Sequence, residues 1–202
     1  MSMKMVKKFI AVTMAATLMV APAITASAAT ETSAPVEATT EVQTTSQVSA
    51  GGTVIKTALP GAYLVKTLNG VAVKDSAAAI KAAAGLGAGE TPYVKVYDIT
   101  AKNSPLVYAS FNACAAAVGG TVIAAVNIDF GKLSAGNFSA LPGEVTGNVT
   151  VGVKNPPAGK TLAVVKVLPL GAAELIADAD QNPNTVSFPI SGGLGAYAVI
   201  AY

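Results

Sequence analysis

Three groups of residues in this chain have types and spacing that could do chemistry. The first is Asp178-Ala179-Asp180-Gln181-Asn182-Pro183-Asn184, where oxygen-bearing side chains occupy every second position. A calcium loop begins this way, because a hard cation collects carboxylate and amide oxygens from alternate residues of a turning chain. Asp178, Asp180, Asn182 and Asn184 are therefore the candidate calcium ligands, and calcium is the one cofactor the sequence suggests. The rest of the pattern departs from such a loop. Pro183 stands where the sharp-turn glycine belongs and Pro189 where the closing glutamate belongs, so a polar hairpin turn is the competing expectation. The second group is Tyr93, Lys95 and Tyr97, which share one face of a strand while Val94 and Val96 share the other. Two rings around an ammonium group make a platform for a sugar or a wall polymer. The alternative is that they cover the outer face of a sheet or pack under a helix, and a chain without tryptophan is poorly equipped for stacking on sugars. The third is Lys166, alone in the apolar run Leu162 to Leu168. It reads as an outward-facing lysine guarding a strand; its alternative chemistry is a carboxylate-assisted cross-link to an asparagine.

Absences narrow the enzyme classes. With no histidine, neither a Ser-His-Asp nor a Cys-His system can form, nor a histidine-ligated zinc site. Cys114 is the single cysteine, which excludes internal disulfides and thiolate clusters, and it lacks a histidine to activate it. Asp75, Glu90, Asp98, Asp129, Glu144 and Glu174 are scattered over caps, turns and strands without a recognisable pair. A carboxylate-dependent hydrolase is thus the least favoured reading, and no catalytic residue is assigned. The stretches Gly85-Leu86-Gly87-Ala88-Gly89 and Gly192-Gly193-Leu194-Gly195 lack the strand-to-helix phosphate fingerprint and read as turns.

The elements that must position these residues follow from caps and periodicity. Asp75-Ser76 opens and Gly85 closes a short alanine-rich helix, with Ala77, Ile80 and Ala84 inward and Lys81 outward. Asn103-Ser104-Pro105 opens and Gly119-Gly120 closes a second, on whose inner stripe Val107, Phe111, Cys114 and Val118 fall. Around them, 62–65, 71–73, 93–99 and 121–130 read as strands, so residues 53–140 form a small α/β unit with part of its sheet parallel. From Val145 the texture changes to short strands at 149–153, 161–168, 173–177, 185–190 and 195–202, separated by Pro, Gly and Asn. The fold class expected is α+β: the small α/β unit with two helices, then an antiparallel β-sandwich-like unit over 141–202. Some sixty residues make a small independent core, so the second unit is expected to share its interior with the first.

The N-terminus reads as an export signal over 1–29: Lys4, Lys7 and Lys8, an apolar run from Phe9 to Val20, then Ala26-Ser27-Ala28. Its apolar run is too short for a membrane span, which needs about 20 residues, so cleavage without membrane insertion is expected, and with it a secreted or cell-surface location. Residues 30–52, rich in Thr, Ser and Ala, read as a disordered linker. The whole chain has 13 lysines and 11 acidic residues for a net charge of +2; without the three signal lysines, 10 minus 11 leaves −1. A near-neutral chain without arginine has neither the forks nor the field that nucleic acid binding relies on, and no nucleic-acid partner is expected.

Four stretches carry a resemblance: Gly159-Lys160-Thr161, Val164-Val165-Lys166-Val167, Asn184-Thr185-Val186-Ser187-Phe188 and Gly195-Ala196-Tyr197-Ala198-Val199. Over the last sixty or so residues the chain resembles the small immunoglobulin-like β domains of secreted and surface proteins of clostridial-type Gram-positive bacteria. The α/β part resembles exported proteins of unassigned function. The resemblance implies architecture and carries over no functional residue. The functional expectation is a non-catalytic exported module that binds a cell-wall component or a protein partner. The alternative is a structural protein that self-associates through exposed strands, with Tyr197 to Tyr202 as the edge.

Overall fold

The computed structural model describes residues 45–168 and 171–202, all within one compact unit. The signal at 1–29 and the linker as far as residue 44 lie outside the described residues. The described elements are strands β1 (Gln47–Ala50), β2 (Thr53–Lys56), β3 (Gly61–Leu64) and β4 (Val71–Val73), helix α1 (Ala77–Ala83), strand β5 (Glu90–Asp98), helix α2 (Pro105–Ala117), and strands β6 (Thr121–Ser134), β7 (Asn137–Ala140), β8 (Thr146–Gly152), β9 (Leu162–Val167), β10 (Ala173–Ala177), β11 (Thr185–Ser191) and β12 (Gly193–Ala201). The fold is α+β, mostly strand, with a sandwich-like pairing of two sheets.

Local chemistry explains the boundaries. Ser76 caps α1, its hydroxyl accepting from Ala79 N at 3.2 Å, and satisfies a donor that the first turn leaves free. Proline opens α2 at a position where its missing N–H costs nothing. Gly51 and Gly52, both at positive φ, make the tight turn joining β1 to β2, a backbone twist that matches paired strands and that side-chain-bearing residues resist.

The large sheet runs β10-β9-β12-β6-β5-β3, with β7 paired to β6; only the β3–β5 pair is parallel. The small sheet runs β11-β8-β4 and is antiparallel. Between the two sheets lies the main core. Val94, Ile128, Phe130, Val164, Tyr197 and Val199 of the large sheet meet Val71, Val73, Val149, Val151, Phe188 and Ile190 of the small one. On the other face of the large sheet, Phe111 and Ala115 of α2 rest on Ala125, Ala163, Val165, Ala198 and Ile200. The three alanines leave the depth that the Phe111 ring fills. On the outer face of the small sheet, Val48 and Ala50 of the β1–β2 hairpin pack against Ala72.

Several expectations are corrected. The linker was expected to reach residue 52, yet Gln47–Ala50 pairs with Thr53–Lys56, because Val48 finds apolar cover on the small sheet that composition alone does not reveal. Strand β12 inserts between β9 and β6, so one sheet draws on segments from both sides of residue 141. For the same reason Tyr197 to Ala201 is an interior strand and not an edge. Lys166 points inward: it lies opposite Tyr197 and Glu174 in register, on the same side as Val164, and its Nζ donates to Ser191 Oγ at 2.6 Å. Val118 caps α2 and is 36% exposed, so the inner stripe is completed by Ala115 instead. Cys114 is half-buried at the edge of the α2 core, where burial pushes its thiol pKa up.

Candidate functional site

Helix α2 covers only part of the outer face of the large sheet. Strand register reconstructs what remains uncovered. One row across the sheet runs Leu194, Asp129, Lys95, Ala62; the next runs Ala196, Asn127, Tyr97, Leu64. Leu64, Tyr97 and Leu194 are 43%, 44% and 73% exposed, unusual values for large apolar side chains that share one face. Between them Asp129 is only 8% exposed. The Asn127 amide donates to the Asp129 carboxylate. Burial pushes the Asp129 pKa up, against the pull of the Asn127 hydrogen bond and the nearby Lys95 charge. Burial and the adjacent Asp129 charge also raise the pKa of the Tyr97 phenol, keeping it a neutral donor. An acceptor, an amide, an ammonium and a phenol thus converge on an open surface bordered by apolar side chains.

The expected platform of Tyr93, Lys95 and Tyr97 lies on this face, but its members are used differently. Strand β7 folds Phe138 over Gly131, whose missing Cβ leaves the space the ring occupies. Phe138 meets Tyr93 edge-on at 6.5 Å between centroids, and Lys95 Nζ sits 4.1 Å from the Phe138 ring centre. Tyr93 is consequently buried, and Tyr97 alone of the pair presents an open ring. Asn127, Asp129, Leu194, Leu64 and Phe138 join the surface from other strands. Sequence reasoning had no route to them, because their proximity depends on strand order; the alternation Asn127-Ile128-Asp129-Phe130 within β6 was the available signal.

The Asp178–Asn184 segment links β10 to β11 and lines a recess of about 360 Å³ together with Lys160, Thr161 and Tyr202. Its four candidate ligands do come together, as a chain of turns. Asp178 Oδ1 accepts from Asp180 N at 3.0 Å, Asp180 Oδ1 from Asn182 N at 2.9 Å, and Asn182 Oδ1 from Asn184 N at 3.0 Å. The Asp180 carboxylate also accepts from the hydroxyls of Thr185 and Ser187, at 3.0 and 2.8 Å. Asp178 Oδ1 receives Ser187 N at 2.8 Å, although burial raises the Asp178 pKa above its usual range. These oxygens tie the loop to strand β11. Among the described residues no three carboxylate or thiol side chains gather into a metal-binding cluster.

Other polar groups are structural in their contacts. Asp98 accepts from Lys66 N, Thr67 N and Thr67 Oγ1 at 2.8, 3.1 and 2.5 Å, holding the chain after β3 against the end of β5. Tyr63 donates to Leu59 O at 2.8 Å beside Thr57, and its burial pushes the phenol up to about 12. Lys132 and Glu90 form an ion pair at 2.5 Å near the partly exposed start of β5. No described helix is long and apolar enough to cross a membrane.

Compared with models of known families, with curated proteins and with solved structures, the chain shows no match.

Proposed function

We propose that this chain is an exported, non-catalytic binding module that takes a cell-envelope polymer on the uncovered half of its large sheet. One observation carries the reading: Asp129, Asn127, Lys95 and the Tyr97 hydroxyl meet on one surface bordered by the exposed Leu64, Tyr97 and Leu194. Hydroxyl- and amide-rich polymers need alternating acceptors and donors beside an apolar ring, and this surface offers both. A flat face suits an extended polymer better than a small metabolite, which wants a concave pocket. The N-terminal signal and the linker supply the route outward and the reach. We further read strands β8 to β12 as related to the small immunoglobulin-like β domains of secreted clostridial proteins; what supports this is antiparallel strands divided over two facing sheets.

The test is sedimentation of the full chain with purified Gram-positive cell walls. Saturable depletion of the supernatant is expected. Loss of a stacking ring contributing about 1.4 kcal/mol would weaken it about tenfold in Tyr97→Ala, and Asp129→Ala should weaken it further. Protein that stays wholly in the supernatant would overturn the envelope reading and direct attention to a protein partner. Binding unchanged in both variants would move the ligand to another surface.

A further inference from the structure

We infer that the open edge of β10 joins two copies of this chain by antiparallel strand pairing about Leu175. The inference is independent of the envelope ligand and rests on backbone geometry. Leu168 N donates to Ala172 O at 2.7 Å, and these residues lie opposite each other in the β9–β10 register, one step beyond Val167 and Ala173. Hydrogen-bonded and non-bonded pairs alternate along an antiparallel ladder. Glu174 and Ile176 therefore direct their N–H and C=O groups toward β9, while Ala173, Leu175 and Ala177 direct theirs to the outer edge. Among the described residues, no backbone group there has a partner across that edge.

The edges of the small sheet are treated differently. At β4, Val73 N donates to Thr57 Oγ1 and Val73 O accepts from Ala58 N. At β11, Ser187 O accepts from Ala179 N. The edge of β10, Ala-Glu-Leu-Ile-Ala, has neither lysine nor proline and carries Glu174 as its one charge, and all its side chains but Ile176 are exposed.

A second copy fits this edge better than an arbitrary strand, because the edge is self-complementary. Pairing β10 with itself about Leu175 sets Leu175 opposite Leu175 of the other copy and Ala173 opposite Ala177. Each facing pair then exchanges two backbone hydrogen bonds, so every free group on both edges is used. Glu174 falls opposite Ile176, which keeps the carboxylates from opposing each other. A register centred on Glu174 would set carboxylate against carboxylate, and of the three outward residues only Ala173 and Leu175 would then face each other. The result is a closed twofold dimer with one sheet continuous across both copies.

Sedimentation equilibrium of the full chain over a range of concentrations is the test. A mass rising from one copy toward two is expected. Leu175→Pro removes an outward N–H without touching the β9 ladder, and Leu175→Lys sets two ammonium groups opposite each other; both should return the chain to the mass of one copy. Register is read by oxidation in a Cys114→Ser background. Leu175→Cys should cross-link to its counterpart, since directly opposed residues fall within disulfide reach, whereas Ala173→Cys should not. A mass that stays at one copy, a mass that grows past two, or a dimer indifferent to both Leu175 substitutions would each overturn the inference.

Discussion

Asp129 is the one charged side chain buried among the described residues. Its carboxyl is buried and its pKa raised, so the folded protein takes up a proton at a pH where the unfolded chain is still ionised. This group therefore lowers stability at neutral pH, and that penalty is relieved as pH falls through the folded pKa, above the ordinary carboxylate range. Asp129→Asn should raise Tm at pH 7, and the difference from the parent should shrink toward pH 4; a difference that grows on acidification would contradict it. Asp180 is the contrasting carboxylate, saturated by two hydroxyls and a backbone N–H. Asp180→Ala leaves those donors without their acceptor and should cost about 1–3 kcal/mol in denaturant titration. Calcium at millimolar concentration is expected to leave the parent's Tm unchanged. A calcium-dependent rise that disappears in Asp180→Ala would show the Asp178–Asn184 loop to be a metal site.

Among the elements, α2 shows how a helix without a single charged residue still has a defined inner face. Phe111, fully buried among Ala125, Ala163 and Ala198, is its anchor, and Phe111→Ala should cost about 3–5 kcal/mol. Val107→Ala, at a half-buried position, should cost less. Equal losses would mean that the helix is not seated through Phe111. Both helices were legible from their caps and stops, and most strands from alternation, since such signals act over a few residues. Strand β7 was not legible: Asn137-Phe138-Ser139-Ala140 is short and polar, and it exists because Phe138 finds Tyr93 and the vacancy over Gly131. The β1–β2 hairpin was missed for a similar reason, its one strong local cue being the Gly51-Gly52 turn.

For the whole molecule, the place of β12 between β9 and β6 decides cooperativity. A sheet that mixes early and late segments cannot be divided at residue 141 without exposing the cores on both sides. Thermal unfolding followed by far- and near-ultraviolet circular dichroism should give coincident single transitions, and a chain truncated after residue 140 should fail to fold. Two separated transitions would mean two independent units.

By itself the sequence determined the helices, most of the strands, the turns and the exclusion of histidine- and disulfide-dependent chemistry, because each follows from residue type and near-neighbour spacing. It also contained the alternation that sets Tyr93, Lys95 and Tyr97 on one face. Tertiary structure alone decided which of those rings is open, that Asn127 and Asp129 stand beside them, that Lys166 faces inward, and that β10 rather than the final strand lies at an edge of the large sheet. Each of these depends on which strands become neighbours. Strand order is set by the burial of side chains far apart in the chain, and no local pattern carries that information.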